Sequence, residues 1–576
     1  MSERETTATT DATLARIAEL EAALAAERAA LVAMTKERDL LRASHARLRE
    51  ELELLKRRIF VAKAERIDTT QLEMEFADKL RQLDALGGDP PGEEEDGSDG
   101  EDKKVKTKRK STGRRNLKKL ALEEERVEIA DPLYEDLVAK GLAKRIDFVE
   151  SCKLAYKRGG LRRLVVARVK YQVTDAKGDT AVDMAPMPAE TFPRSLAAPS
   201  LLAHILMEKY GKGLPLFRIE DTFTREGCPV DRGTMCRWVE DAGATCGATV
   251  VHAARREALS TAFCIATDAT GVLVQPIRTH EKVRTACKRG HYFVHIADAD
   301  HVFLEYTARE TSDAVAAMFK GFSGYVQADA KSVYDILFDD PRERAPEDDD
   351  QSVRQEVGCM AHCRRKFWEA ALAKSNVARE GLARIRRIFE LDATWRGKPP
   401  ADIKRLRDAH LRPHMQAFFD WADLEYAKVR DQRGLLRSAL GYAVRQKDAL
   451  LRVLEDGRLV LDNNRSERAL RGTIATGRKA WLFVGSDDHA ESAGHIFSLI
   501  ASCKLHRLDP ETYLRDLFRV LAHWPKDRYL ELAPKYWTRT RALLEPAELA
   551  RELGPLTLPP PPTAPAQQQS AANAPQ

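Results

Sequence analysis

Apolar residues recur every seven positions near the start of the chain. Ile17, Leu24, Leu31, Leu52 and Ile59 share one heptad position, and Leu20, Met34, Leu41, Leu48 and Leu55 fall three residues later. Such a seam, with no Gly or Pro before Gly87, predicts a coiled coil and therefore a partner helix. Glu27, Arg38 and His45 stand at core positions, where polar groups weaken the seam but can fix its register. One amphipathic helix folded back on its own protein satisfies the same pattern. Residues 1–86 are accordingly read as an oligomerisation segment.

The pattern stops at residue 87. GGDPPGEEEDGSDGED carries eight acids and the following KKVKTKRKSTGRRNLKK carries ten bases, with almost no apolar residue, so 87–119 is expected to be a disordered linker. Its basic half suits a flexible arm that follows phosphates, or simply a solvated charge run. Residues 120–195 read as a small α+β module, with a helix near 131–143 and a β-rich run, RLVVARVKYQV, at 163–173. Over 196–250, apolar positions at helical spacing from Pro215 to Phe223, a turn at Gly227 and Pro229, and a second helix from Asp231 through Trp238 predict a helix-turn-helix. Arg232, Thr234 and Arg237 then lie near the exposed start of the second helix and become candidate DNA contacts. Plain helical cores use the same spacing.

From 262 the period becomes extended. AFCIATDATGVLVQ, HYFVHIA and HVFLEY are β-rich runs, a helix is predicted near 311–320, and SGYVQAD follows as a fourth strand. Strands, then a helix, then a strand describe an α/β sheet whose last strand can lie parallel to its first. Asp268 falls within the first strand and Asp329 at the end of the fourth. If those strands are neighbours, the two carboxylates meet and repel unless a cation sits between them, which points to a divalent metal.

A third acid is available in LVLDNNRSERALR, residues 459–471. A helix beginning near Asp462 and packed on the sheet puts Glu467 on its inner face; the alternative is a capped, solvated helix start. Mg²⁺ (or Mn²⁺), as two ions about 4 Å apart, would clamp the attacking and leaving oxygens of a phosphodiester. The interleaved Arg465, Arg468 and Arg471 would hold the DNA backbone beside it.

Farther along, GCMAHCRRKF offers Cys359, His362 and Cys363, but no second Cys or His pair follows at finger spacing, so zinc is not expected. His362, Arg364 and Arg365 are read instead as opening a helix near the DNA backbone. Residues 367–455 are helical and charged, with Trp395, Phe418, Phe419 and Trp421 at core spacings, and are read as an insertion. Residues 501–545 are expected to be helical and the Pro-rich 546–576 to be a disordered tail.

Composition narrows the class. With 576 residues and 43% hydrophobic content the chain is long enough for three or four domains with real cores. Lys and Arg number 94 against 89 Asp and Glu, so the arrangement of charge matters more than its sum. No run approaches the roughly 18 apolar residues of a membrane span, and the polar N-terminus lacks a signal core, which predicts a cytoplasmic protein with no membrane partner. Nine cysteines, an odd number, look like reduced thiols.

Taken together, TDAT at 267–270, VQAD at 326–329, GCMAHCRRKF at 358–367, DGRLVLDNNRSERALR at 456–471 and GRKAWLFVGS at 477–486 resemble the DDE transposases of the insertion sequence 66 family. The likeness extends from KYGKGLPLFRIEDTF through SLIASCKLHRLDPETYL, covers most of 195–520 in order, and includes the leading coiled coil. It implies a multidomain α/β protein with a ribonuclease-H-like catalytic domain over 251–500, interrupted by a helical insertion at about 367–455 and preceded by the helix-turn-helix and the N-terminal coiled coil. It also implies cut-and-join chemistry on the ends of a mobile element, with Asp268, Asp329 and Glu467 as catalytic triad and metal ligands. The partners it implies are DNA (terminal inverted repeats and target), further copies of the chain, and accessory proteins of the same element, in a bacterial, nucleoid-associated setting.

Three positions depart from the family pattern. RVKYQVTDAKGDT has no cysteine where a cysteine-based zinc module is usual, so 120–195 is read as its degenerate counterpart. TDAT lacks an acid after the aspartate, and DAKSVY stands where a Gly-Tyr pair is usual. A catalytically impaired DNA-binding protein derived from a transposase is therefore the alternative, with a structure-selective nuclease on the same fold as a third reading. Retention of all three acids favours the transposase.

Overall fold

A computed structural model describes residues 122–561 except 158–159, 175–179, 194, 277–285, 340–349 and 351, together with Met34, Thr35, Lys79 and Gln82. The expected coiled coil, apart from those four residues, and the expected linker lie outside the described residues. Met360–Arg458 forms a compact unit distinct from the one that contains the flanking described segments.

The first module is a sheet with one helix. Strands β1 (Glu123–Ile129), β2 (Ala143–Lys157), β3 (Gly160–Thr174) and β4 (Thr180–Met184) surround α1 (Pro132–Ala139). Asp131 caps α1 by accepting from Leu133 N at 2.9 Å, and Pro132 fits the first turn, where no amide partner is needed. The helix is shorter than the expected 131–143, because Gly141 at φ +75° turns the chain into β2. Strand β3 is central, antiparallel to β2 and β4 and parallel to β1. As the central strand it is buried on both faces over Leu164–Ala167, with Tyr171 also buried, while Arg163 on it meets Glu124 on β1 at 2.5 Å.

Four helices follow: α2 (Pro199–Leu206), α3 (Leu216–Arg225), α4 (Arg232–Cys246) and α5 (His252–Thr261). The predicted helix pair corresponds to α3 and α4. Gly227 at φ +80° makes the turn, and Asp231 caps α4 by accepting from Thr234 N at 3.1 Å.

The second sheet consists of β5 (Cys264–Val274), β6 (Lys288–Ala297), β7 (His301–Thr307), β8 (Gly324–Gln327) and β9 (Arg354–Val357), with α6 (Ser312–Phe319) between β7 and β8. The strand order is β7-β6-β5-β8-β9. The first three strands form an antiparallel meander, while β8 lies parallel to β5, and β9 to β8. The expected order of strands, helix and parallel strand is found. Strand β9 escaped prediction because RQEV is short and charged. Its buried arginine is tolerated on this edge strand because the Arg354 guanidinium donates to Phe319 O at 2.8 Å and pairs with Asp350.

The separate helical unit contains α7 (Met360–Leu372), α8 (Asn376–Ala393), α9 (Pro400–Leu406), α10 (Arg412–Val429), α11 (Leu435–Arg445) and α12 (Lys447–Leu451). It begins earlier than the expected 367, since Met360, Ala361 and Cys363 already form a buried helical face. Phe367, Phe418 and Trp421 cluster in its core, with ring centroids 5.9 to 6.2 Å apart.

After this unit come α13 (Asn464–Leu470), α14 (Thr476–Trp481), α15 (Asp487–Leu505), α16 (Pro510–Val520), α17 (Pro534–Ala542) and α18 (Pro546–Ala550). Helix α15 covers the β7 edge: Ser498 Oγ accepts from Leu304 N at 2.8 Å and Ser502 Oγ from Val302 N at 3.0 Å, so edge amides that the sheet leaves unpaired are satisfied. Gly494 permits this approach, because a Cβ there would lie 2.5 Å from Leu304 O.

The tail expected to be disordered from 546 requires correction as far as 561. Arg515 donates to the carbonyls of Leu549 and Ala550, Arg519 to those of Arg551, Gly554 and Pro555, and Arg528 to that of Pro559. A Pro-rich segment has few amides with which to build its own structure, but its carbonyls remain strong acceptors and arginine forks gather them. Among the described residues no helix is long and apolar enough to cross a membrane.

Candidate active site

Asp268 lies in the middle of β5, and Asp329 two residues beyond the end of β8. The last paired rung between these parallel strands is Ala266 with Gln327, so the aspartates stand two residues past it on each strand and on the same side. Beyond this rung β8 has ended, which opens the β5 edge at Asp268. The Asp268 carboxyl is pushed up to about 6, first by burial and then by the nearby charges of Asp329 and Glu467; a hydrogen bond from Ala269 N and the Lys331 ammonium oppose the rise. All three expected acids therefore act on one locus. Asp329 Oδ1 is buried with no hydrogen-bond partner among the described residues.

Glu467 reaches this locus because of how α13 is anchored. The Asn463 amide donates to Thr267 O at 2.6 Å, next to Asp268, and its Oδ1 accepts from Ser466 Oγ at 2.6 Å. Asn463 N donates to Cys359 Sγ at 3.2 Å, and Asn464 N to Asp462 Oδ1 at 3.0 Å. The DNN run thus does two things: Asp462 supports the helix start, and Asn463 ties it to the strand that carries Asp268. Glu467 itself is largely buried, with Arg471 donating to Oε2 at 2.5 Å. Among the described residues no three His, Cys, Asp or Glu side chains are close enough to hold a metal as they stand. Two of the three carboxylates face a cation: Glu467 is paired with Arg471 and Asp329 with Lys331.

The second of those cations is Lys331, which the sequence reading did not single out. Its Nζ lies 3.8 Å from Asp329 Oδ2 and 3.3 Å from Glu310 Oε1. The only available signal was its place two residues after Asp329. Lys331 also lines a cavity of about 410 Å³ with Ala269, Leu273, Arg289, His291 and Arg478. Arg478 NH1 donates to Gly271 O at 2.6 Å, occupying the open β5 edge.

The other expected contacts are scattered. Arg465, Arg468 and Arg471 do not share one role: Arg465 is half-buried and donates to Asp298 O at 3.2 Å, Arg471 holds Glu467, and Arg468 faces solvent. The expectation that all three face DNA is corrected for Arg465, because its position on α13 points inward toward the β6–β7 turn. Arg232 and Arg237 are exposed at the start of α4, with Arg237 NH2 donating to Thr234 Oγ1 at 3.3 Å. His362, Arg364 and Arg365 fall in the first turns of α7, in the separate helical unit, where Arg364 lies 6.0 Å from the Phe389 ring centre.

The profile described as "Transposase IS66 family" matches residues 194–492. The chain belongs to this family. A second profile, the IS66 C-terminal element, matches residues 498–534 of this IS66 family transposase. Three relatives come from Sinorhizobium fredii (strain NBRC 101917 / NGR234). Uncharacterized protein y4qI is 28% identical over 405 residues, covering 70% of this chain and 72% of its own. Uncharacterized protein y4hP is 26% identical over 396 residues (65% and 68%), and uncharacterized protein y4jD is 26% identical over 353 (59% and 65%). Membership of the IS66 family implies a role in transposition and hence DNA as a partner.

Proposed function

We propose that this chain is a DDE transposase that cleaves the ends of its mobile element and joins them to target DNA, with Asp268, Asp329 and Glu467 as the reacting centre. The observation that carries the reading is geometric: the β5–β8 register sets Asp268 and Asp329 level on neighbouring strands, and Asn463 ties the start of the Glu467 helix to Thr267, beside Asp268. The strand order β7-β6-β5-β8-β9, an antiparallel meander followed by two parallel strands, supports a ribonuclease-H-like assignment. The exposed cations of α4 support its assignment as the second helix of a DNA-binding helix-turn-helix.

The donor set suits Mg²⁺ or Mn²⁺. Hard carboxylate oxygens converge, one of them, Asp329 Oδ1, buried without a partner among the described residues, and the Asp268 charge is opposed by two others. When bound, the ions would neutralise the phosphodiester and favour an oxygen nucleophile. Asp268 and Asp329 are fixed by the strands, whereas Glu467 comes on a helix held by Asn463. Lys331 is placed to steady Asp329 and a phosphate oxygen together. Arg471, once it leaves Glu467, and Arg468 supply donors for the adjacent backbone. In the first step water attacks the phosphodiester at the element end and releases a 3′ hydroxyl. In the second step that hydroxyl attacks a target phosphodiester and displaces another 3′ oxygen.

Cleavage and joining by the full chain on DNA carrying the element's own ends, with Mg²⁺ or Mn²⁺, test this. Asp268→Ala, Asp329→Ala and Glu467→Ala should each abolish both steps while end binding persists. Parental cleavage by Glu467→Ala would refute the triad. A parent that binds ends but never cleaves them would support the catalytically impaired DNA-binding protein instead.

A further inference from the structure

The segment joining α14 to α15 exposes two large apolar side chains in succession. Leu482 is 62% exposed and Phe483 is 42% exposed. Leu482 sits in left-handed backbone, φ +63°, which a branched side chain adopts only when its surroundings force it. The surroundings are rigid on both sides. Trp481, at the end of α14, packs against the core, and Val484 is bonded to β5 through Val484 N to Leu273 O at 2.8 Å and Gln275 N to Val484 O at 2.8 Å. Two apolar groups are thus held outward on a fixed turn, at a cost in both backbone strain and hydration.

The location gives this arrangement a purpose. Leu273, to which the turn is bonded, lines the cavity of about 410 Å³, and Arg478, Arg289 and Lys331 line it too. Leu273 is five residues along β5 from Asp268, or about 16 Å at about 3.3 Å per residue. That distance equals about five base pairs at about 3.4 Å each. Apolar side chains flanked by cations, one short duplex segment from the reacting centre, have the chemistry of a wedge that enters a base step and unstacks it. Arg289 and Arg478 in its lining complement the phosphate that a displaced nucleotide would bring, while Lys331 there is engaged by Glu310 and Asp329.

We propose that Leu482 and Phe483 form a wedge that unpairs the element's DNA within about five base pairs of the scissile phosphate, and that the displaced nucleotide enters the cavity lined by Arg289, Lys331 and Arg478. The proposal rests on the transposase reading and adds a substrate-deforming element to the same site. It makes DNA opening a function of the protein surface, separate from cleavage itself.

The test uses the full chain and duplexes carrying the element's ends, with 2-aminopurine placed in turn at each of the positions nearest the scissile phosphate. With the parent, fluorescence should rise several-fold at one position within that interval. The L482S/F483S double variant should bind the ends within about threefold of the parent, which shows that it is folded, lose the fluorescence rise, and cleave at least tenfold more slowly. An abasic site at the responsive position should restore its cleavage, and L482M/F483Y should behave as the parent. Cleavage of paired DNA at the parental rate by the double variant, or parental cleavage without any fluorescence rise, would overturn the wedge while leaving the triad intact. Failure of an abasic substrate to rescue a bound double variant would overturn it as well. A parent that neither cleaves nor opens the ends would overturn the transposase reading and the wedge with it.

Discussion

Replacing Asp268 by Asn should stabilise the metal-free protein. The native carboxyl sits at about 6 against an ordinary value of 3.8, because burial and the charges of Asp329 and Glu467 disfavour its ionised form. Below about pH 4 the group is protonated in both folded and unfolded chains and no penalty exists. Between about pH 4 and 6 the folded state keeps a proton that the unfolded state has released, so stability falls as pH rises. Above about pH 6 the penalty is complete, on the order of 3 kcal/mol at about 1.4 kcal/mol per pH unit. Asn removes the charge but keeps an oxygen to accept from Ala269 N, now 2.8 Å from Asp268 Oδ1. In EDTA at pH 8, differential scanning fluorimetry should therefore show Asp268→Asn melting above the parent by roughly 5 °C or more, given about 2–4 °C per kcal/mol for large domains. The gap should close by about pH 4. A variant that melts at or below the parent at pH 8, or a gap that is the same at both pH values, would refute the claim that this carboxylate is crowded and desolvated.

Mn²⁺ should raise the melting temperature of the parent but not of Asp329→Ala, as read by the same fluorimetry across a metal titration, because binding to the folded state alone stabilises it. Asn463→Ala should cost about 2 kcal/mol in chemical denaturation, through the lost Thr267 and Ser466 bonds, and should slow cleavage more than it weakens DNA binding. Arg468→Ala should weaken end binding and flatten its salt dependence in gel shifts, since an exposed arginine on a backbone contact releases counterions. Deletion of residues 1–66 should lower the oligomeric state in light scattering, and an unchanged mass would assign the heptads to an internal partner.

Much of the second sheet was legible because its strands are apolar and its punctuation is clear. AFCIATDATGVLVQ and HYFVHIA have no competing helical period, and an aspartate inside such a run needs a reason beyond packing. The helix start that carries Glu467 was legible from the density of acids and amides around it. Contacts between distant segments were not legible. Nothing local to Asn463 announces a bond to Thr267, 196 residues away, and nothing local to Lys331 announces Glu310. Arg465 and Arg468 look alike in sequence, and only the direction of α13 makes one a strut and the other a surface cation. The Pro-rich tail misled for a related reason, since its partners Arg515, Arg519 and Arg528 lie on other segments.

The pairing of cations with carboxylates connects stability to the proposed chemistry. Lys331 is 42% exposed and Arg471 is 49% exposed, so their bonds to Asp329 and Glu467 are solvent-screened and worth at most about 1 kcal/mol each. On the proposed chemistry such contacts would give way to a divalent ion at little cost. Neither amine is consumed in that exchange. Displaced from Glu467 on that reading, the Arg471 guanidinium would have donors for an incoming phosphate, and Lys331 would keep Glu310 as an anchor while its remaining donors turned toward the substrate. The proposed chemistry therefore assigns the same two cations to the acids before metal and DNA bind and to DNA afterwards, and with it a role for the family-divergent DAKSVY lysine in the centre it adjoins.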